Sequence, residues 1–263
     1  MDPEEFREQL ARADMVLVGL GEEFDAASQL NHVQEFINGR KLLQDRNALW
    51  LLPAWGEYCT EKLGMNVFRT ALEKLFGLLE GKNHFVVSVS TNSEIVSVLG
   101  GRKRLVMPCG SVLAKQCASG CKGELSLVMA DDRAILTDFF EKLMFGSLAQ
   151  EELTLLGNCR QCGGPMVLNN VYADQYNEKG YLEDWQVYTK WLQGTLNRRL
   201  LLLELGVSMG FPSVVRRPFE RIAVYNNKAF LYRVNEKIYQ LPEDLALKGC
   251  GISKNAIDWL GQL

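Results

Sequence analysis

Unbroken apolar runs, rather than alternation, mark the strands of this chain. Residues 15–18, 85–89, 104–107 and 200–205 are apolar at nearly every position. Strands look like this when helices cover both faces of a parallel sheet, because neither side meets water. Between the runs, apolar residues return at helical spacing over 27–37, 58–79, 132–148, 185–196 and 254–263, with a short helix over 94–99. Asp2 followed by Pro3 predicts an N-capped helix at the start of the chain. Shorter apolar stretches predict two more strands at 222–225 and 229–234. Strands alternating with helices predict an α/β fold with a Rossmann-like, doubly wound parallel sheet.

The four main runs stop in the same style. Gly19-Leu20-Gly21 follows the first, Ser90-Thr91-Asn92 the second, Cys109-Gly110 the third and Gly206-Val207-Ser208 the fourth. Ligands of open parallel sheets sit beyond the carboxyl ends of the strands. Glycine there lets a phosphate approach backbone amides, and a following helix N-terminus adds a favourable dipole. A Gly-x-Gly turn also serves purely steric needs, so both readings stand for Gly19 and Gly21.

Four cysteines come in two close pairs, Cys117-x3-Cys121 and Cys159-x2-Cys162, the second opening a Cys-Arg-Gln-Cys-Gly-Gly-Pro-Met turn. Short spacings let each turn present two sulfurs to one tetrahedral ion. The alternative is four ordinary core thiols. The pairing and the adjacent Gly120, Gly163 and Gly164 favour a structural zinc ion, with no position left open for water. A small zinc-ribbon lobe over 111–172 is therefore expected as an insertion in one domain spanning 1–263.

Composition adds limits. A chain of 263 residues with 47% hydrophobic and 23% charged residues can bury a full core. A formal net charge of −3 gives no electrostatic case for nucleic acid or an anionic membrane. The acidic N-terminus lacks the features of a signal peptide, and the apolar stretch 200–207 contains Glu204 and is too short to cross a bilayer. Seven cysteines, with Cys59, Cys109 and Cys250 outside the pairs, suit a reducing cytoplasm.

In the order of its motifs the chain resembles the sirtuin (Sir2) family. Sirtuins carry a Gly-Ala-Gly loop, then Thr-x-Asn-x-Asp, His-Gly, two zinc cysteine pairs, Gly-Thr-Ser, and a final strand followed by Asn. The counterparts here are Gly19-Leu20-Gly21, Ser90-Thr91-Asn92-Ser93-Glu94, Cys109-Gly110, the two cysteine pairs, Gly206-Val207-Ser208 and Asn226. The chain looks most like the divergent bacterial branch whose genes accompany macrodomain and lipoyl-carrier proteins. Gln116-Cys117, the Cys159–Met166 turn and the long 203–220 segment carry that likeness.

The resemblance implies NAD+ as the co-substrate and ADP-ribosyl transfer to a protein acceptor such as a lipoyl-carrier-like protein. It implies that Gly19, Gly21, Gly206 and Ser208 cradle the pyrophosphate, that Asn92 orients the ribose, and that Asn226 binds the adenosine ribose. The alternatives are NAD+-dependent lysine deacylation and a catalytically degenerate protein that binds NAD+ or ADP-ribose, or has lost both and serves as a scaffold. The chain departs from the family in three places. Cys109 stands where the general-base His belongs, and a thiol serves as a base only with a lowered pKa. Glu22 and Glu23 follow the glycine loop, where they repel a pyrophosphate unless they cap a helix or face away. Ala173-Asp174-Gln175 replaces the peptide-binding Phe-Gly-Glu.

The remaining polar outliers read as structural. His84 opens a strand and His32 lies in a solvent-facing helical stretch. Glu204, if buried, needs a partner, and Arg216 and Arg217 suit either a phosphate or acidic partner or, by preference, a structural salt bridge with Glu220 or Glu204. Trp185, Tyr188 and Trp191 fall at helical spacing and pack in the core.

Overall fold

Six of the strands join into one sheet. The computed structural model describes residues 3–101, 103–121, 125–146 and 153–263. In chain order the strands are β1 (Met15–Leu20), β2 (Asn83–Ser88), β3 (Leu105–Val106), β4 (Gly110–Cys117), β5 (Ser126–Leu127), β6 (Met166–Asn170), β7 (Leu200–Leu205), β8 (Ala229–Val234) and β9 (Gly249–Ile252). The main sheet runs β3-β2-β1-β7-β8-β9, and every pairing in it is parallel. Strand order reverses between β1 and β7, so their carboxyl ends flank the topological switch point.

The apolar runs are explained by two-sided burial. Val16, Val18 and Leu20 of β1 face one core cluster, with Leu201, Leu203 and Leu205 of β7. Met15 and Leu17 face the other, with Leu200 and Leu202. Tyr188 is buried against Phe85, and the half-buried Trp185 and Trp191 pack against the same core cluster, Trp185 edge-on to Tyr188.

β4, β5 and β6 form a second, antiparallel sheet with β4 in the centre. The helix Ala130–Met144 lies between β5 and β6 in the chain. Cys117 ends β4, and Cys159 and Cys162 precede β6. This is the small lobe expected from the cysteine spacing. No helix among the described residues is long and apolar enough to cross a membrane.

Several elements differ from their sequence pattern. Residues 222–225 are not a strand but the end of the helix Arg216–Tyr225. Phe219 and Ala223, four apart, bury one face of it, and Pro218 sits in the first turn, where its missing N–H costs nothing. The stretch 58–79 is two helices, Leu52–Lys62 and Val67–Leu78, separated at Gly64 with φ of 64°. Likewise 27–37 divides into Ala26–Gln29 and Gln34–Asp45. β9 carries two glycines and lies at the half-exposed sheet edge, so it has no apolar run to betray it. Asp2, the expected cap of the first helix (Pro3–Arg12), and 147–148, the expected end of the lobe helix, lie outside the described residues.

A buried ion network pins the end of β7. Arg233 on β8 donates from Nε and Nη2 to the two carboxylate oxygens of Glu204 at 2.8 and 2.9 Å, and to Glu220 at 2.7 Å. Arg216 also pairs with Glu204, at 3.1 Å, and donates to the carbonyls of Val207 and Ile238. The structural reading of Arg216 and Glu204 is thus what the molecule shows, with Arg233 as the stronger partner. Through Arg216 the network holds the turn after β7, the rim of the switch point.

Candidate active site and metal centre

Loop 21–25 after β1 bridges the turns after β7 and β2. On the β7 side the backbones touch: the N–H of Gly21 donates to Leu205 O at 2.8 Å, and a Cβ on Gly21 would collide with Gly206 and Val207. A Cβ on Gly19 would collide with Val215 on the far side. Both glycines are therefore required by close packing in the folded chain, which is the steric reading of the Gly-x-Gly turn. Gly206 has φ of 65°, a left-handed conformation that favours glycine.

Two carboxylates fill the rim. Glu22 accepts from the N–H and Oγ of Ser208, at 2.8 and 2.6 Å. The Ser208 hydroxyl also accepts from the N–H of Gly210 at 2.9 Å. Ser208 thus presents an anion cradle, and Glu22 is the anion in it. Glu23 instead accepts from the N–H groups of Ala256 and Glu236, at 2.6 and 3.1 Å. It supports the start of the closing helix Ala256–Gln262, so it caps a helix 233 residues away rather than its own.

On the β2 side, Asp25 Oδ1 accepts from Ser90 Oγ, Thr91 N and Thr91 Oγ1, at 2.8, 2.9 and 3.2 Å. Asn92 donates from Nδ2 to Phe24 O at 2.8 Å and accepts from the N–H of Glu94 at 3.0 Å. Glu57 on the helix Leu52–Lys62 accepts from the N–H and Oγ of Ser93, each at 2.7 Å. Asp25, Glu57, Thr91, Asn92 and Tyr172 line one small cleft of about 20 Å³. Nothing in the sequence pattern marks Glu57, because it reaches the cleft from a helix with no motif of its own.

Burial sets the electrostatics of this cleft. It raises Asp25 from 3.8 to about 6 against the opposing hydrogen bonds from Ser90 and Thr91. It raises Glu57 from 4.5 to about 7 against those from Ser93, with Glu94 and Asp25 adding like charge. Each group then holds a proton to higher pH in the folded state than in the unfolded chain. Stability therefore falls as pH rises through the interval between the ordinary and the raised values. The expected loss is on the order of 3 kcal/mol per group, or several degrees in the unfolding midpoint between about pH 4 and about pH 7. Scanning calorimetry of the protein and of Glu57→Gln checks this: the variant has the shallower dependence, and equal slopes would refute the assignment.

Cys109 is 2% exposed, and burial together with the charges of Asp25 and Glu22 pushes its thiol far up. A thiol pushed up in this way holds its proton, which disfavours Cys109 as a base and favours its reading as a space-filling residue. His84 bonds Lys82 O through Nδ1 near the start of β2, and His32 is exposed between helices, so neither replaces it. Asn226 is also corrected. It precedes β8, donates to Thr195 O and Arg198 O, and lies at the amino edge of the sheet, opposite the cleft. The Asn that follows β8 is Asn235, which donates to Val207 O at 3.2 Å and accepts from the N–H groups of Lys237 and Ile238. Its signal in the sequence is the run 229–234, which ends directly before Asn235.

The two cysteine pairs converge. The sulfurs of Cys117, Cys121, Cys159 and Cys162 all lie within 4.8 Å of one another, with Cys117 and Cys162 at 3.5 Å. Four thiolates on zinc at about 2.3 Å stand about 3.8 Å apart, so the donor set fits a tetrahedral ion. The N–H of Gly164 points at Cys162 Sγ at 3.4 Å, an outer hydrogen bond of the kind that orients metal ligands.

No family model matches this chain. It is 22% identical, over 92% of its length, to a protein ADP-ribosyltransferase of Staphylococcus aureus, of which it covers 80%. It is 23% identical, over 83% of its length, to a probable bifunctional ADP-ribose hydrolase/ADP-ribosyltransferase of Fusarium oxysporum, and spans 39% of that relative. Among solved structures, a mutant Sir2 homologue in complex with ADP-ribose superposes with a TM-score of 0.54 at 14% identity, over 100% of this chain and 94% of that one. Sir2Tm bound to a propionylated peptide gives 0.52 at 14% identity, over 100% and 97%. The chain is sirtuin-like in fold and divergent in sequence.

Proposed function

We propose that this protein transfers ADP-ribose from NAD+ to a protein acceptor, and that its four clustered cysteines hold one structural zinc ion. The observation that carries the reading is the bridge made by loop 21–25. It ties an anion cradle at Ser208 to the Asp25–Asn92 cleft across the switch point of a sirtuin fold. A dinucleotide needs these two features on one rim: an anion site for its diphosphate and a polar cleft for the ribose that reacts. The names of the two relatives support the same reaction. Glu22 stands in for a phosphate oxygen on Ser208, and the nucleotide enters by displacing it. Asn92, held at both ends of its carboxamide, fixes the floor of the cleft. The acceptor to try first is a lipoyl-carrier-like protein.

Glu22 also favours a second reading, a scaffold that has replaced the nucleotide with its own carboxylate. Calorimetric titration with ADP-ribose and an assay of nicotinamide release separate the two. The transferase binds ADP-ribose, binds it more tightly in Glu22→Ala, and releases nicotinamide from NAD+ in a reaction that stops in Asn92→Ala. The scaffold shows no ADP-ribose binding even in Glu22→Ala.

A further inference from the structure

We propose that Asp25 is the proton acceptor of this site, its Oδ2 facing the cleft to take the proton from the acceptor's nucleophile. This rests on the ADP-ribosyl-transfer reading and assigns the base that reading lacks.

The argument is by geometry. Both histidines lie away from the cleft, and Cys109 is a buried neutral thiol. Tyr172 lines the cleft, but burial and the charge of Asp25 push its phenol up to about 12. Two carboxyl groups remain. Both oxygens of Glu57 are engaged by Ser93. Asp25 differs, because its three donors all converge on Oδ1, and Oδ2 makes no hydrogen bond among the described residues. One oxygen is thus anchored and the other is without a hydrogen bond, on a residue that lines the cleft together with Thr91, Asn92 and Tyr172.

The charged and titratable groups around Asp25 come from every element that packs on the cleft: Glu22 from its own loop, Cys109 after β3, Tyr172 after β6 and Glu57 from the helix Leu52–Lys62. Glu94 adds its charge behind Glu57, and Arg40 opposes these groups at Tyr172. A carboxyl group raised to about 6 by burial is ionised at neutral pH, yet is a stronger base than an exposed one.

In the reaction the bond between ribose C1′ and the nicotinamide nitrogen breaks. Its electron pair stays on the nitrogen, which loses its positive charge. The acceptor's heteroatom bonds to C1′, its proton passes to Asp25 Oδ2, and that proton goes to water once product leaves.

The test uses the full chain with Asp25→Asn, which keeps an oxygen for Ser90 and Thr91. Carbon-13 titration of labelled aspartates should show one carboxyl titrating near about 6 in the wild type and none there in the variant. The variant should still bind ADP-ribose, with a change in affinity far smaller than the fall in rate. Its nicotinamide release should fall about 100-fold or more and lose the acid limb of the pH profile. Asp25→Glu should restore part of the rate. An unchanged rate with an intact acid limb in Asp25→Asn overturns the proposal. So does a rate restored by saturating NAD+, which would make Asp25 a binding group. If Asp25→Asn does not fold, the wild-type profile decides, because release that is flat across this pH range is incompatible with the assignment. A wild type that neither binds ADP-ribose nor releases nicotinamide defeats the functional reading first, and Asp25's role falls with it.

Discussion

Exhaustive treatment with a strong chelator is expected to remove about one zinc ion per chain and to melt the small lobe while the parallel sheet survives. Without an ion, four thiols this close cannot ionise independently. Cys117 is lowered to about 6, against its burial, by hydrogen bonds from the backbone of Cys121 and from Cys162. Cys121 is pushed up to about 12, chiefly by its side-chain hydrogen bonds with Cys162 and Cys117. A divalent cation at the centre lets all four thiolates exist together. In zinc-finger peptides such binding is worth about 10–16 kcal/mol, and it is lost together with the local fold. Here β4, β5 and β6 form a sheet of their own, hydrogen-bonded to no strand of the six-stranded one, so the loss should stay local. Hydrogen exchange measures it: amides of β4 and β6 lose protection in the chelated protein and in Cys159→Ser, while those of β1 and β7 keep theirs. A well-folded wild type that carries no zinc after dialysis would sink the assignment.

Replacing Arg233 with Met is expected to cost about 3–5 kcal/mol, the range for stripping one partner from a buried ion pair. The side chains of Glu204 and Arg233 are 0% and 1% exposed. Arg216 would remain to one side of Glu204, but the two-pronged contact from Arg233 would be gone. Urea unfolding reads the loss directly. The second substitution Glu204→Leu should recover part of it, because the cost of the single change lies mainly in the stranded charge rather than in the lost attraction. If both singles and the double are equally destabilised, the effect is one of packing. Since Arg216 also holds Val207 O, Arg233→Met should in addition weaken ADP-ribose binding at the Ser208 rim.

The candidate site divides between what local pattern reveals and what it conceals. Gly21, Asn92 and Ser208 were legible because each follows an apolar run, and the carboxyl end of a buried strand is a place that pattern alone can find. Asn235 obeys the same rule and was missed only through the false strand at 222–225, a helix end whose apolar residues are too few to show their period. Asp25 lies five residues past β1, beyond the turn that the pattern marks, and Glu57 sits on a helix. Their significance arises from the burial of the cleft, which no stretch of sequence encodes. Cys109 was legible as a departure from His, but the burial that pushes its thiol up, and the charges of Asp25 and Glu22 that add to it, come only with folding.

By itself the sequence determined the α/β architecture and its central parallel strands, since a strand covered on both faces must be apolar at consecutive positions. It determined the four-sulfur centre as well, since two residues a few positions apart present their side chains to one point. Only the tertiary structure decided what the charges do. Glu22 meets Ser208 across 186 residues, Asp25 meets Ser90 across 65, and Glu204 meets Arg233 across 29. Those partners are chosen by the order of strands in the sheet. Strand order is settled by the packing of the whole chain, because a buried charge is tolerated only where the finished fold supplies its counterpart.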